Sequence, residues 1–162
     1  MLKKILLVLL IIVIFIQFIR PAKNAAELPS TTAIDKMYTV PAEVAHILEK
    51  ACYDCHSNTT RYPWYSHIQP VDWWLTRHIN GGKGQLDFSE FGSYSFGKQA
   101  KKLRKAASEV KDGGMPLNSY TWIHKDAILT ADEKNTLISW ASMLSQKIAT
   151  EHNVDMNAKE KR

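Results

Sequence analysis

Residues 51–56 read Ala51-Cys52-Tyr53-Asp54-Cys55-His56, and both cysteines of the chain lie in this stretch. Cys-x-x-Cys followed directly by His is the attachment signature of a c-type haem. Two thiols one helical turn apart can each add to one vinyl group of the porphyrin, and the next imidazole can then serve the iron. The motif predicts one covalently attached haem, with Cys52 and Cys55 as its attachment points and His56 as the proximal iron ligand. A zinc site needs two further ligands, and the remaining histidines show no His-x₃₋₅-His pair. A dithiol redox motif opens a helix after a strand. Here an apolar helical stripe precedes the cysteines instead. A buried structural cysteine pair is the remaining alternative.

Working outward, the first helix starts near Pro41, a residue suited to a first turn. Val44, Ile47, Leu48 and Ala51 fall at helical spacing and carry it into Cys52. Residues 57–97 hold several Gly, Asn and Pro, dense aromatics and no sustained period. Asp72–His78 reads as a short helix and Asn80–Gly84 as a turn. Lys98–Lys111 is amphipathic, with Leu103, Ala106, Ala107 and Val110 on one face, and Gly113-Gly114 stops it. Met115–Lys125 reads as a loop. Thr130-Ala131-Asp132-Glu133 is a capping box. It opens a last helix with Leu137, Ile138, Trp140, Ala141 and Leu144 inward. The pattern predicts an all-α haem domain over residues 38–150 and a polar tail over 151–162.

At the other end, residues 1–20 hold a short basic start, an apolar run from Ile5 to Ile19 broken only by Gln17, and Arg20. With Leu2 the run reaches about 17–18 residues, the lower limit for crossing a hydrocarbon core of roughly 30 Å. A cleaved export signal and a retained transmembrane anchor both fit. The anchor is favoured because cleavage after Ala25 or Ala26 places Lys23 or Asn24 where a small residue belongs. The positive-inside bias is slight, so the N-terminus is expected in the cytoplasm mainly because the haem site needs the other, periplasmic side of the bacterial inner membrane. Residues 21–37 have the composition of a flexible tether. The net charge of +5 is weak evidence for nucleic acid: beyond residue 20 there remain 18 basic and 16 acidic residues.

The sixth iron ligand is open between several side chains. Met115, in Gly113-Gly114-Met115-Pro116, is the leading candidate, because glycine permits close approach and proline stiffens the chain beyond. His124 is the best rival; His67 and His78 are others. Tyr62, Trp64, Tyr65, Trp73 and Trp74 cluster after the attachment motif, and Trp64 and Trp73 are expected at the haem. Arg61 is a candidate partner for a propionate. Lys98, Lys101, Lys102, Arg104 and Lys105 form a basic run that reads as a solvated helix face.

The order of helix, attachment motif, loops, Met-Pro and closing helix resembles class I cytochrome c. More closely, Cys52–Asn58, Arg61-Tyr62-Pro63-Trp64-Tyr65, Ile68-Gln69-Pro70 and Trp73-Trp74 resemble a bacterial haem-binding domain family. Phe88-Ser89-Glu90-Phe91 and Met115-Pro116-Leu117 through Tyr120 and His124 extend the resemblance over roughly residues 40–145. It implies an exported or membrane-tethered haem protein and no defined reaction. The expected function is electron transfer, not enzymatic catalysis, with a redox partner protein and a membrane reached through the N-terminal helix. A haem sensor with a displaceable sixth ligand, or a peroxidase using His124 as acid–base group, are the alternatives.

Overall fold

A computed structural model describes residues 1–26 and 28–158. Among them there is no strand, only an isolated antiparallel bridge between Ala25 and Thr59. The helices are α1 (Leu2–Ile16), α2 (Ile34–Met37), α3 (Ala42–Ala51), α4 (Tyr53–His56), α5 (Val71–Gln85), α6 (Phe96–Lys111), α7 (Asn118–Thr121) and α8 (Ala131–Glu151). Short 3₁₀ turns at Trp64–His67, Phe91–Ser93 and Lys125–Ala127 join them.

The core forms where α3, α6 and α8 turn their apolar stripes together. Val44, Ile47 and Leu48 of α3 meet Leu103, Ala107 and Val110 of α6, and Leu137, Trp140, Ala141, Leu144 and Ile148 of α8. Each stripe repeats at three and four residues, which places it on one helical face. Ser95 caps α6 by accepting from the Lys98 N–H. The Thr130–Glu133 capping box on α8 is complete.

Two expectations are corrected. The first is the transmembrane helix. α1 has 15 residues, about 22 Å at 1.5 Å each, and among the described residues no helix is long and apolar enough to cross a membrane. The helix stops at Ile16 because the chain turns there. The Gln17 side chain then pairs with the Gln69 backbone, donating to its carbonyl (3.2 Å) and accepting from its N–H (2.9 Å). The second is the turn at 80–84, which is the last part of α5. Helix continues through Gly81, Gly82 and Gly84 because tertiary contact outweighs their low helix propensity.

Residues 21–26 and 28–37 lie along the domain. Lys23 reaches Asp72 at 2.7 Å, Thr32 reaches Glu90 at 2.9 Å, and Ile34 is buried in the core.

Candidate functional site: an apolar crevice around His56

The Cys-x-x-Cys-His motif makes a single helical turn, α4. Its N–H groups fold back on the Cys52 carbonyl, from Cys55 at 3.1 Å and His56 at 2.9 Å. Ser57 closes the turn by donating its hydroxyl to the Tyr53 carbonyl at 2.8 Å. α5 then packs directly on this turn. A Cβ on Gly82 would stand 2.5 Å from the Cys55 carbonyl oxygen, so only glycine lets the two backbones come this close.

The stretch after α5 holds His56 at two points. The Phe88 N–H donates to the His56 carbonyl at 2.8 Å, and His56 Nδ1 donates to the Leu86 carbonyl at 2.8 Å. A carbonyl can only accept, so the proton sits on Nδ1 and Nε2 keeps its lone pair. This is how proteins prepare a metal-ligating imidazole. Burial lowers the His56 pKa, which favours the neutral, ligating form.

Two cavities of about 310 Å³ each share Ala51, His56, Gln85, Met115 and Pro116 in their walls. The first adds Asp54, Cys55, Arg77, His78, Gly82 and Tyr120. The second adds Cys52, Leu86, Phe88, Leu103, Leu129 and Trp140. Together they form one mostly apolar crevice within the size range of cofactor sites. Cys55 borders the first part, Cys52 the second, and His56 and Met115 border both.

Met115 arrives there through the end of α6. Gly113 takes a left-handed conformation (φ +76°), and the N–H groups of Gly114 and Met115 both bond the Glu109 carbonyl, at 2.8 and 3.1 Å. The Gly-Gly signal thus does more than end a helix: it aims the following Met-Pro at the crevice.

Other anticipated residues lie elsewhere. Trp64 is 76% exposed, and Trp73 donates its indole N–H to the Ile19 carbonyl at 2.9 Å; neither borders the crevice. His124 is outside both cavity walls, its Nε2 on the Tyr65 hydroxyl at 2.8 Å. His78 does border the crevice, with Nδ1 donating to the Trp74 carbonyl at 2.8 Å. Arg61 binds the Asp54 carboxylate, from Nε to Oδ1 at 3.2 Å. Asp54, Gly82, Gln85 and Arg77 had no assigned role from sequence. The spacing of Asp54 inside the motif was the one available signal among them.

Burial pushes the Cys52 thiol up to about 12 and the Cys55 thiol up to about 11. Redox-active cysteines have the opposite shift. Among the described residues no three His, Cys, Asp or Glu side chains gather as a metal cage. The donors at the crevice are imidazole and thioether, a set suited to an iron whose other ligands come with a macrocycle.

A family model described as a haem-binding domain matches residues 11–143. The chain belongs to the haem-binding domain family. Its cofactor is haem, and the crevice fits it in apolar lining, in the His56 tautomer fixed by the Leu86 carbonyl and in the backbone approach at Gly82. The match of this haem-binding domain begins within α1 and takes in residues 21–37, consistent with their packing on the rest of the fold. No curated protein and no solved structure matches the chain.

Proposed function

We propose that this haem-binding domain carries its haem covalently and serves as a one-electron carrier. The observation that carries the reading is that Cys52, Cys55, His56 and Met115 all border one crevice. Covalent hold would come from Cys52 and Cys55: each S–H would add across one vinyl C=C, the sulfur to one carbon and the proton to the other, so that the S–H and π bonds are replaced by S–C and C–H bonds with no net oxidation. When bound, the haem iron supplies a ferric–ferrous couple.

The protein groups have distinct tasks. His56 offers Nε2, with its tautomer held by the Leu86 carbonyl. Met115 offers a thioether from the facing loop, and an axial Met raises the potential relative to a second His. Leu86, Phe88, Leu103 and Trp140 keep water from the crevice. His56 and Met115 would hold the haem from two sides, and the group would supply a one-electron couple that needs no bound substrate. The electron would pass to or from a redox partner protein.

Absorption spectra of the oxidised and reduced protein test the ligands. Met115→Ala is expected to abolish the low-spin His/Met signature, and a pyridine haemochrome of the denatured protein to show two thioether links. An unchanged Met115→Ala spectrum sinks the Met assignment. A second ligand set, His56 with His78, has a specific basis, since His78 borders the same crevice. In that case His78→Ala, and not Met115→Ala, removes the low-spin spectrum.

A further inference from the structure

Asp54 lies between the two cysteines, and its side chain is almost fully buried. A buried carboxylate requires donors. Arg61 supplies its backbone N–H at 3.0 Å and its guanidinium Nε at 3.2 Å, both to Oδ1. The shortest contact comes from far along the chain: the Tyr120 hydroxyl donates to Oδ2 at 2.6 Å. The Asp54 main chain is held as well, its carbonyl accepting from the Thr60 hydroxyl at 2.6 Å. Asp54 is thus fixed to the attachment turn, and Tyr120 comes to it.

Tyr120 stands on α7, directly after Met115-Pro116-Leu117, and borders the same cavity as those three residues. Its ring stacks on His124, with centroids 4.3 Å apart and planes 15° apart. His124 in turn bonds the Tyr65 hydroxyl. The near end of the loop is bound to α6 through the Glu109 carbonyl. The far end is bound to the attachment motif through Tyr120. Met115, Pro116 and Leu117 bridge these two ties as one wall of the crevice.

We propose that Tyr120 is a positioning residue: its hydrogen bond to Asp54 latches the Met115–Leu117 wall over the crevice and keeps the sixth coordination position closed to exogenous ligands. The proposal rests on the assignment of Met115 as the axial ligand. Cys52–His56 then does two jobs. It provides the attachment points, and through Asp54 it fastens the opposite wall.

The test uses the full-length haem-loaded protein, with carbon monoxide as the probe. In the wild type, a His/Met spectrum and slow binding of carbon monoxide to the reduced form are expected. Absence of the His/Met spectrum from the wild type removes the ligand assignment and the latch with it. Given that spectrum, Tyr120→Phe keeps the ring and its stack on His124 and removes only the hydroxyl. A hydrogen bond to a charged group is strong enough that carbon monoxide association is expected to quicken by about tenfold or more, with a weakened Met–iron band. Asp54→Asn, which keeps an acceptor oxygen, is expected to fall between wild type and Tyr120→Phe. A purely structural tie gives a different result: Tyr120→Phe lowers the melting temperature while the Met–iron band and carbon monoxide rate stay at wild-type values. That result overturns the latch and leaves the Met115 assignment standing. Should Tyr120→Phe fail to fold, the same two readouts on Asp54→Asn decide it, and unchanged values again overturn the latch.

Discussion

Gly82 carries a constraint that its neighbours do not. Three glycines fall near the end of α5, and their helix propensity is equally poor. Only Gly82 faces the Cys55 backbone, where an added Cβ would stand 2.5 Å from oxygen. Backbone atoms on both sides cannot rotate away as a side-chain tip can. Gly82→Ala should therefore destabilise the haem-loaded protein by about 2 kcal/mol, since overpacking outweighs the better helix propensity. At Gly84 nothing lies within 4 Å of an added Cβ. Gly84→Ala should stabilise by about 0.5 kcal/mol, through propensity and a less flexible unfolded chain. Urea unfolding midpoints of the two variants check the contrast; equal shifts would refute it.

Among elements, α3 and α8 are joined by a charge pair that also belongs to a cap. Lys50, in the last turn of α3, meets Glu133 Oε1 at 2.6 Å. The other Glu133 oxygen accepts from the Thr130 N–H at 2.9 Å, completing the capping box of α8. These contacts, led by the Lys50 hydrogen bond, hold the Glu133 carboxyl below its ordinary 4.5. A depressed pKa in the folded state means that the unfolded state binds the proton more readily. The associated stability is complete above the ordinary carboxylate pKa and is lost as pH falls toward the depressed value. Glu133→Gln, which keeps an acceptor for the Thr130 N–H, should cost about 0.5 kcal/mol near neutral pH through the lost part-exposed ion pair with Lys50. Its difference from wild type should shrink below pH about 4.5. Thermal melts at neutral and acid pH measure both; a pH-independent difference contradicts the assignment.

For the molecule as a whole, the important contacts join residues far apart in the chain. Residues 17–26 lie against α5 from the end of α1, and residues 28–34 reach the Phe91 turn and the core. Lys23 is central to this arrangement. Its ammonium donates to Asp72 Oδ1 at 2.7 Å and to the Ser66 carbonyl at 2.9 Å, while the Asp72 side chain is only 1% exposed. Lys23→Met would leave that buried carboxylate with the Gln69 amide, at 3.2 Å, and no cation. Removing one member of a buried pair is expensive, so a loss of about 3 kcal/mol is expected by denaturant titration. A free tether predicts no loss. The same packing accounts for Gln17: the one polar residue within the apolar run lies where the chain leaves α1 and bonds Gln69.

Features written in neighbouring residues were legible before any coordinates. The one-turn spacing of Cys52 and Cys55 next to His56, the faces of α3, α6 and α8, the Thr130–Glu133 box and the Gly-Gly stop all depend on spacings of one to four residues. Helix periodicity and capping are local physics, so sequence order suffices for them. The far ends of contacts were not legible. Nothing adjacent to Tyr120 points to Asp54, nothing in the glycine-rich end of α5 separates Gly82 from Gly84, and nothing near Lys23 points to Asp72. Composition also suggested a helix long enough to cross a membrane, which α1 is not, because hydropathy does not record where Gln17 finds its partner. The attachment turn could be read from six residues. The walls that make it a crevice exist only once α5, α6 and the Met115 loop have folded around it, since their contacts join segments with no sequence proximity.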